Sequence, residues 1–300
     1  MSLRIHTPCT ARIAADRLHF GSGSLVQALE QGYFALRIPA DVDIGPGLRL
    51  SREFYLDDLP SGNLPSYRGF RVRPDVYFDR DHYQTEHILV DQANRRALFP
   101  PEVDVMSQKM CTAARLVLRE ILATAQVAPT HWDRATDQCS ADGGVEWFAA
   151  SHYRAERAVD GAPAHKDTGF VTVLYFEQPG LEAWNDGEWV DVLPVAGHFI
   201  VNFGGALELL TKRLAVKVHA VLHRVRQCRR DDKVAEDRFS FAAFLNPSPD
   251  SQAFQLTADG HQLTSCGSVE DFLREFNRAT WSDRHVDFGI TRGPRPGGAL

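Results

Sequence analysis

From Val145 to Thr257 the chain breaks into short β-branched and aromatic runs, and no other feature restricts its fold as much. VEWFAASHY, GFVTVLYFE, EWVDVLP, HFIVNFG, AVKVHAVLHRV and FSFAAFLNP follow one another, parted by turn signals such as EQPG, WNDGE and RRDDK. Many short strands at this spacing indicate an antiparallel sandwich or barrel. Upstream, Ser24 with Gln27 three residues on forms a capping pattern for a short helix, and Gly32 then leads into a strand through YFALRI. After FPPE, residues 104–126 place Met106, Met110, Ala113, Val117, Ile121 and Leu122 at steps of three and four, which predicts a long helix with one buried face. A second capping pattern, Ser268 to Asp271, opens the helix VEDFLREFNRA.

With 300 residues and 44% hydrophobic content the chain can bury a sizeable core. The simplest organisation is a single domain over 1–290, made of a helix-rich region (1–145), a β core (146–257) and a C-terminal helix and lid (258–290), with a loose Gly/Pro tail at 291–300. No apolar run approaches the roughly 18 residues that span a bilayer, and the first residues lack the apolar stretch of a secretory signal, so the expected location is the cytoplasm. Five cysteines without C-x-x-C spacing argue against a disulfide framework and against a thiolate zinc site. A net charge of −6 offers no long-range attraction for nucleic acid or an anionic membrane. The run RVRQCRRDDK reads as a solvated hairpin tip, and the expected partner is a small molecule.

H-x-D occurs three times, at 131–133, 165–167 and 285–287. Only His165 leads into a strong strand with further candidate ligands downstream. On a strand, residues i and i+2 share a face, so His165 and Asp167 can aim an imidazole nitrogen and a carboxylate oxygen at one point. VKVHAVLHRV supplies His219 and His223 as candidates for a third ligand. They cannot both serve, because four strand residues span about 13 Å whereas metal–nitrogen bonds are about 2 Å. In RFS, Arg238 and Ser240 share a face and offer a guanidinium fork beside a hydroxyl, a suitable cradle for a carboxylate.

Taken in order, HKDTGFVTVLYF, LPVAGHFIVNFGGALELLT, HRV and RFSFAAFLNP resemble the isopenicillin N synthase-like, deacetoxycephalosporin C synthase-like branch of the non-haem iron(II), 2-oxoglutarate-dependent oxygenases. The resemblance covers 163–247 most closely and the earlier half, including YRGF, more loosely. It implies a mainly β fold with flanking helices, the double-stranded β-helix or jelly roll. It also implies iron(II) held by His165, Asp167 and His223, with 2-oxoglutarate and O2 as co-substrates. Arg238 and Ser240 match the R-x-S motif for the distal carboxylate of the oxoacid, and Tyr153 aligns with a co-substrate tyrosine. Ser151 and Tyr153 stand where relatives often carry Asn-x-Tyr. The presence of Asp167 disfavours a halide-transferring relative.

Substrate contacts in this family come from the segments covering the barrel mouth, here Tyr67, Arg68, Arg71, Arg73, Phe78 and Asp79. The expected reaction is hydroxylation, desaturation or cyclisation of a small polar metabolite, as in antibiotic biosynthesis. Alternatives are a same-fold iron oxidase in which Arg238 and Ser240 bind a substrate carboxylate, and a metal-free jelly-roll binding module. A zinc hydrolase is disfavoured by the absence of an H-E-x-x-H helix.

Overall fold

The computed structural model describes residues 7–57, 64–80, 82–228 and 236–281. HVD at 285–287, the tail and the tip at 229–235 lie outside those residues. In chain order the strands are β1 (Thr10–Ala14), β2 (Arg17–Ser22), β3 (Tyr33–Arg37), β4 (Tyr77–Asp79), β5 (Thr85–Asp91), β6 (Val145–Tyr153), β7 (Ala162–His165), β8 (Val171–Phe176), β9 (Leu181–Asn185), β10 (Glu188–Asp191), β11 (His198–Phe203), β12 (His223–Val225), β13 (Arg238–Asn246), β14 (Gln252–Leu256) and β15 (Leu263–Ser268). The helices are α1 (Leu25–Gln31), α2 (Gly45–Glu53), α3 (Gln92–Leu98), α4 (Pro101–Thr124), α5 (Pro129–Ala135), α6 (Gly205–Thr211) and α7 (Val269–Trp281).

From β6 to β13 the chain winds between two facing sheets. β6, β8, β11 and β13 form the centre of a nine-stranded sheet ordered β2-β1-β3-β11-β8-β13-β6-β5-β4, and β7, β9, β10 and β12 form a four-stranded sheet ordered β10-β9-β12-β7. This winding is the double-stranded β-helix. Its inner face carries Tyr153, Phe176, Ile200 and Val225 between the sheets. The outer face of the large sheet packs on helices: Val173, Phe241 and Leu245 meet Met106, Met110, Val117 and Ile121 of α4. Strand β13 shows the division along its length. Phe241, Ala243 and Leu245 face the helices, while Arg238, Ser240, Ala242, Phe244 and Asn246 fall on the opposite face.

Ser24 accepts from the Gln27 amide at the start of α1, and Ser268 accepts from the Asp271 amide at the start of α7, as the capping patterns require. The helix predicted over 104–126 is α4, three residues earlier at its start because Pro101 is compatible with a first helical position.

Several expectations fail for one physical reason: short strands are stabilised by partners rather than by their own pattern. The first half holds the helices α1 to α5 and also contributes the strands β1 to β5, all but β3 unexpected, which extend the large sheet on both sides. LEAWN forms β9 and pairs with β10 across the turn at WNDGE. APAH forms β7, and the expected strand AVKVHAVLHRV shrinks to β12. Beyond residue 257 a strand, β15, precedes the expected helix. No described helix is long and apolar enough to cross a membrane.

Candidate metal centre

His165 ends β7 and lies opposite His223 of β12 in the antiparallel register, so the ladder itself brings the two imidazoles together, with ring centroids 4.3 Å apart. Asp167 is not on a strand, contrary to the shared-face argument. The chain leaves the ladder after His165, and the next strand begins at Val171. What places Asp167 is a loop seated on the start of α6. The Asp167 carbonyl accepts from the Gly205 amide at 2.8 Å, and the Thr168 carbonyl from the Ala206 amide at 3.0 Å. Glycine is required in this seat: a Cβ on Gly204 would lie 2.2 Å from the Gly169 carbonyl oxygen.

One donor atom from each of His165, Asp167 and His223 lies within 4.8 Å of the others. Their orientation suits a cation. The Nδ1 atoms sit 2.9 Å from the Pro163 carbonyl and 3.1 Å from the Val221 carbonyl. A carbonyl only accepts, so each Nδ1 carries the proton and each Nε2 presents its lone pair. The two Nε2 atoms lie 3.9 and 3.8 Å from the same Asp167 Oδ1. Oδ2 accepts from the Thr172 hydroxyl at 2.7 Å, which turns Oδ1 toward the imidazoles. Two neutral imidazoles and a carboxylate on one side of a site are the donor set of a non-haem iron(II) facial triad. The residues present therefore fit such a metal.

His219, the other candidate, is committed elsewhere. Its Nδ1 lies 3.4 Å from Glu208 Oε1, and Glu208 also accepts from Lys166 at 2.9 Å and from the Ala220 amide at 3.0 Å. Burial works to raise the Glu208 pKa, but these contacts outweigh it and hold the carboxyl down at about 2. Glu208 thus ties the segment carrying His165 and Asp167 to the one leading into His223. Neither Glu208 nor Thr172 is recognisable from sequence, since nothing in their spacing signals a contact made only in three dimensions. The 131–133 H-x-D lies on α5, where His131 bonds the His261 carbonyl and Asp133 accepts from Ser140.

Arg238 and Ser240 lie on the central strand β13, not on an edge strand. Arg238 is 2% exposed. Its guanidinium carbon sits 4.7 Å over the Tyr153 ring and 4.9 Å over Phe176, its Nε reaches the Gln178 carbonyl at 3.4 Å, and its Nη1 is buried with no hydrogen-bond partner. Ser240 is paired in register with Ser151.

A cavity of about 260 Å³ opens beside the triad and is lined by His165, Asp167, Ser151 and Tyr153 but not by Arg238 or Ser240, which sit beside Tyr153 and Ser151 on the next strand, β13. Much of the remaining lining is aromatic, proline or aliphatic, including Trp147, Phe244 and Leu273. None of the six expected substrate residues lines it. Tyr67 donates to Glu102, Arg68 to Glu53, and Arg71 to Glu86 at 2.9 and 2.6 Å. Asp79 takes a two-pronged contact from Arg154, while Phe78 stacks on His87, itself a cavity residue. Arg73 closes a turn through its carbonyl. Charged residues in a loop read from sequence as candidate ligands; here Arg68, Arg71 and Asp79 are occupied by Glu53, Glu86 and Arg154.

Residues 145–247, the strands from β6 to β13, match the sequence profile of the 2OG-Fe(II) oxygenase superfamily. The match covers this β core and not the rest of the chain. Curated proteins similar to part of the chain include 1-aminocyclopropane-1-carboxylate oxidase 4 of Arabidopsis thaliana, 40% identical over 98 residues (32% of this chain, 28% of the relative). Another is 1-aminocyclopropane-1-carboxylate oxidase 1 of Doritaenopsis sp., 37% identical over 105 residues (33% and 29%). The matched region thus spans less than a third of these relatives. Solved structures of similar fold include Neurospora crassa T7H in complex with alpha-KG, with TM-score 0.61 and 14% identity over 85% of this chain and 89% of that one. JOX2 in complex with 2OG, Fe and JA gives TM-score 0.64 and 18% identity over 84% and 80%. These structural likenesses bear on the fold alone, the double-stranded β-helix.

Proposed function

We propose that the chain is an iron(II)- and 2-oxoglutarate-dependent oxygenase of a small molecule, with residues 1–290 as one domain. The observation that carries this reading is the convergence of His165 Nε2, His223 Nε2 and Asp167 Oδ1, with both imidazole tautomers already set by backbone carbonyls. His165, Asp167 and His223 would hold the metal, leaving ferrous iron with a net charge near +1 and open coordination positions. Iron with 2-oxoglutarate and O2 supplies the oxidising power for attack on a substrate C–H bond. The chain's own contribution is positioning. Thr172 fixes the Asp167 carboxylate, and the apolar cavity wall excludes water from the reacting face.

Arg238 would receive the distal carboxylate of the oxoacid, with Ser240 adding a hydrogen bond and Tyr153 forming the wall beside it. The buried, unpartnered Nη1 supports this role, because such an atom is costly unless a ligand satisfies it. The order H-x-D, H-R-V, R-x-S supports placement in the isopenicillin N synthase-like branch, and hydroxylation, desaturation or cyclisation are the outcomes open to such a centre. A second reading is favoured by the curated relatives, whose named substrate carries a carboxylate. On that reading Arg238 and Ser240 bind substrate rather than co-substrate.

Anaerobic titration of the iron(II)-loaded protein with 2-oxoglutarate separates the two. A weak visible charge-transfer band, absent in Asp167→Ala, supports the co-substrate reading. Iron binding without a band supports the oxidase reading, and failure to bind iron removes both.

A further inference from the structure

Along β6 the residues that face the cavity are Tyr153, Ser151, Ala149 and Trp147 in turn. Tyr153 and Ser151 are paired with Arg238 and Ser240 on β13, so that end belongs to the proposed oxoacid contact. The other end pairs Trp147 with Phe244. Between the two ends Ala149 contributes only a methyl group, which leaves the sheet surface shallow on that side of the indole.

This aromatic end leads to the metal centre. Phe244 lies opposite Thr172 of β8, whose hydroxyl donates to Asp167 at 2.7 Å. At about 4.8 Å per strand, Trp147 stands roughly 10 Å from Thr172 in backbone spacing. A ring resting on Trp147 and Phe244 is therefore within one small molecule's length of the proposed metal ligands.

Aromatic side chains elsewhere on these strands are used up by each other. On the helix-facing side, Phe241 stacks on Phe148 at 6.0 Å and on Tyr175 at 5.2 Å, and Tyr175 meets Phe199 edge to face at 6.1 Å. Other tryptophans are likewise engaged: Trp132 donates to the Val127 carbonyl at 2.9 Å, and Trp184 and Trp189 pack edge to face at 5.2 Å. Among the described residues Trp147 has no ring partner and no acceptor for its Nε1, and Phe244 has no ring partner. Both line the cavity, and Leu89, Pro247, Pro249 and Leu273 complete its wall at this end. Such walls accept an apolar body. The two open aromatic faces favour a flat, conjugated one, because ring pairing adds to plain area burial.

We propose that Trp147 is a specificity-determining residue that packs against a flat, conjugated ring of the prime substrate, with Phe244 alongside it. This rests on the oxygenase reading for the identity of the site, and it puts a planar ring compound in place of the polar metabolite expected from sequence.

Calorimetric titration of the anaerobic iron(II)- and 2-oxoglutarate-loaded protein tests it with two probes on one skeleton, planar 2-naphthol and its saturated counterpart decahydro-2-naphthol. The planar probe should bind about 2- to 12-fold more tightly, the range of an aromatic pairing beyond area burial. Trp147→Leu should abolish that preference by weakening 2-naphthol alone, and Trp147→Phe should keep part of it. Trp184→Leu, which alters a tryptophan outside the cavity lining, should leave it intact. Should Trp147→Leu fail to fold, the smaller ring of Trp147→Phe must still reduce the preference. The proposal is overturned if neither probe binds, if both bind the wild type equally, or if the Trp147 variants keep the full preference or weaken both probes alike. The 2-oxoglutarate band, recorded on the same samples, reads the iron centre independently. Its retention in the Trp147 variants localises the defect to the substrate subsite, and its absence from the wild type refutes the oxygenase reading whatever the probe ratio.

Discussion

Two arginines, Arg95 and Arg238, head the fully buried side chains, and replacing each by methionine should have opposite consequences. Arg95 is completely engaged: Nε contacts Asp104 at 3.1 Å, Nη1 contacts Ser107 at 2.7 Å and Nη2 contacts Glu146 at 2.7 Å. Arg95→Met removes the most buried cation from two carboxylates that keep Arg115, Gln108 and Arg96 as other partners, and breaking such a buried pair costs about 3–5 kcal/mol. Arg238 is held by two aromatic faces, worth about 1–2 kcal/mol together, and one long contact at 3.4 Å. Against these stands the unpartnered Nη1, which costs about 1–3 kcal/mol. Methionine fills similar space and contacts rings well, so Arg238→Met should change stability by less than about 1 kcal/mol.

On heating, the Arg95 variant should lose roughly 6–10 °C in Tm and the Arg238 variant about 2 °C or less, at about 2 °C per kcal/mol for a chain of this size. The same Arg238→Met protein should bind 2-oxoglutarate about 30-fold to several thousand-fold more weakly, corresponding to about 2–5 kcal/mol for a buried charge pair. Differential scanning calorimetry and anaerobic oxoacid titration measure the two quantities on one sample. If Arg238→Met melts as low as Arg95→Met, or if it binds the oxoacid like the wild type, the argument that this arginine is reserved for a ligand is wrong.

Thr172→Val removes the hydrogen bond that aims Asp167 and should lower iron(II) affinity about 10- to 100-fold with little change in Tm, as read by anaerobic competition with a chromophoric chelator. His223→Gln should abolish iron retention, whereas His219→Gln should preserve it; the reverse result in a metal assay would show that the ligand assignment is inverted. Burial raises the pKa of Glu86, but hydrogen bonds from His152, Arg71 and Tyr77 and the charge of Arg154 outweigh it and hold the carboxyl well below the ordinary range. Its contribution to stability is therefore complete at neutral pH and drains away as the pH falls below about 4.3, the unfolded-state value. Urea unfolding across pH 3–7 should show Glu86→Gln several kcal/mol less stable at neutrality with a shallower acid limb, since a buried pair is broken at about 3–5 kcal/mol; an unchanged limb would contradict this.

Local chemistry in the sequence was enough to specify the α1 and α7 caps, the buried face of α4, the β character of 145–257 and the order of the candidate chemical groups from His165 to Ser240. These depend on neighbours three, four or two residues away, so a linear reading contains the relevant physics. The strands β1, β2, β4, β5, β7, β9, β14 and β15 were not legible, because each is stabilised by pairing with another strand rather than by its own short pattern. The same holds within the site. Asp167 is aimed by a loop on α6 and by Thr172 rather than by strand alternation, and His223 is distinguished from His219 by its register with His165 and by the capture of His219 at Glu208. Arg68, Arg71 and Asp79 carry the charges of a binding loop yet are neutralised in ion pairs, while Arg80 and Trp147 reach the cavity. Residue types and short-range spacing set which chemistry was possible; long-range pairing, which no local pattern encodes, decided which side chains meet.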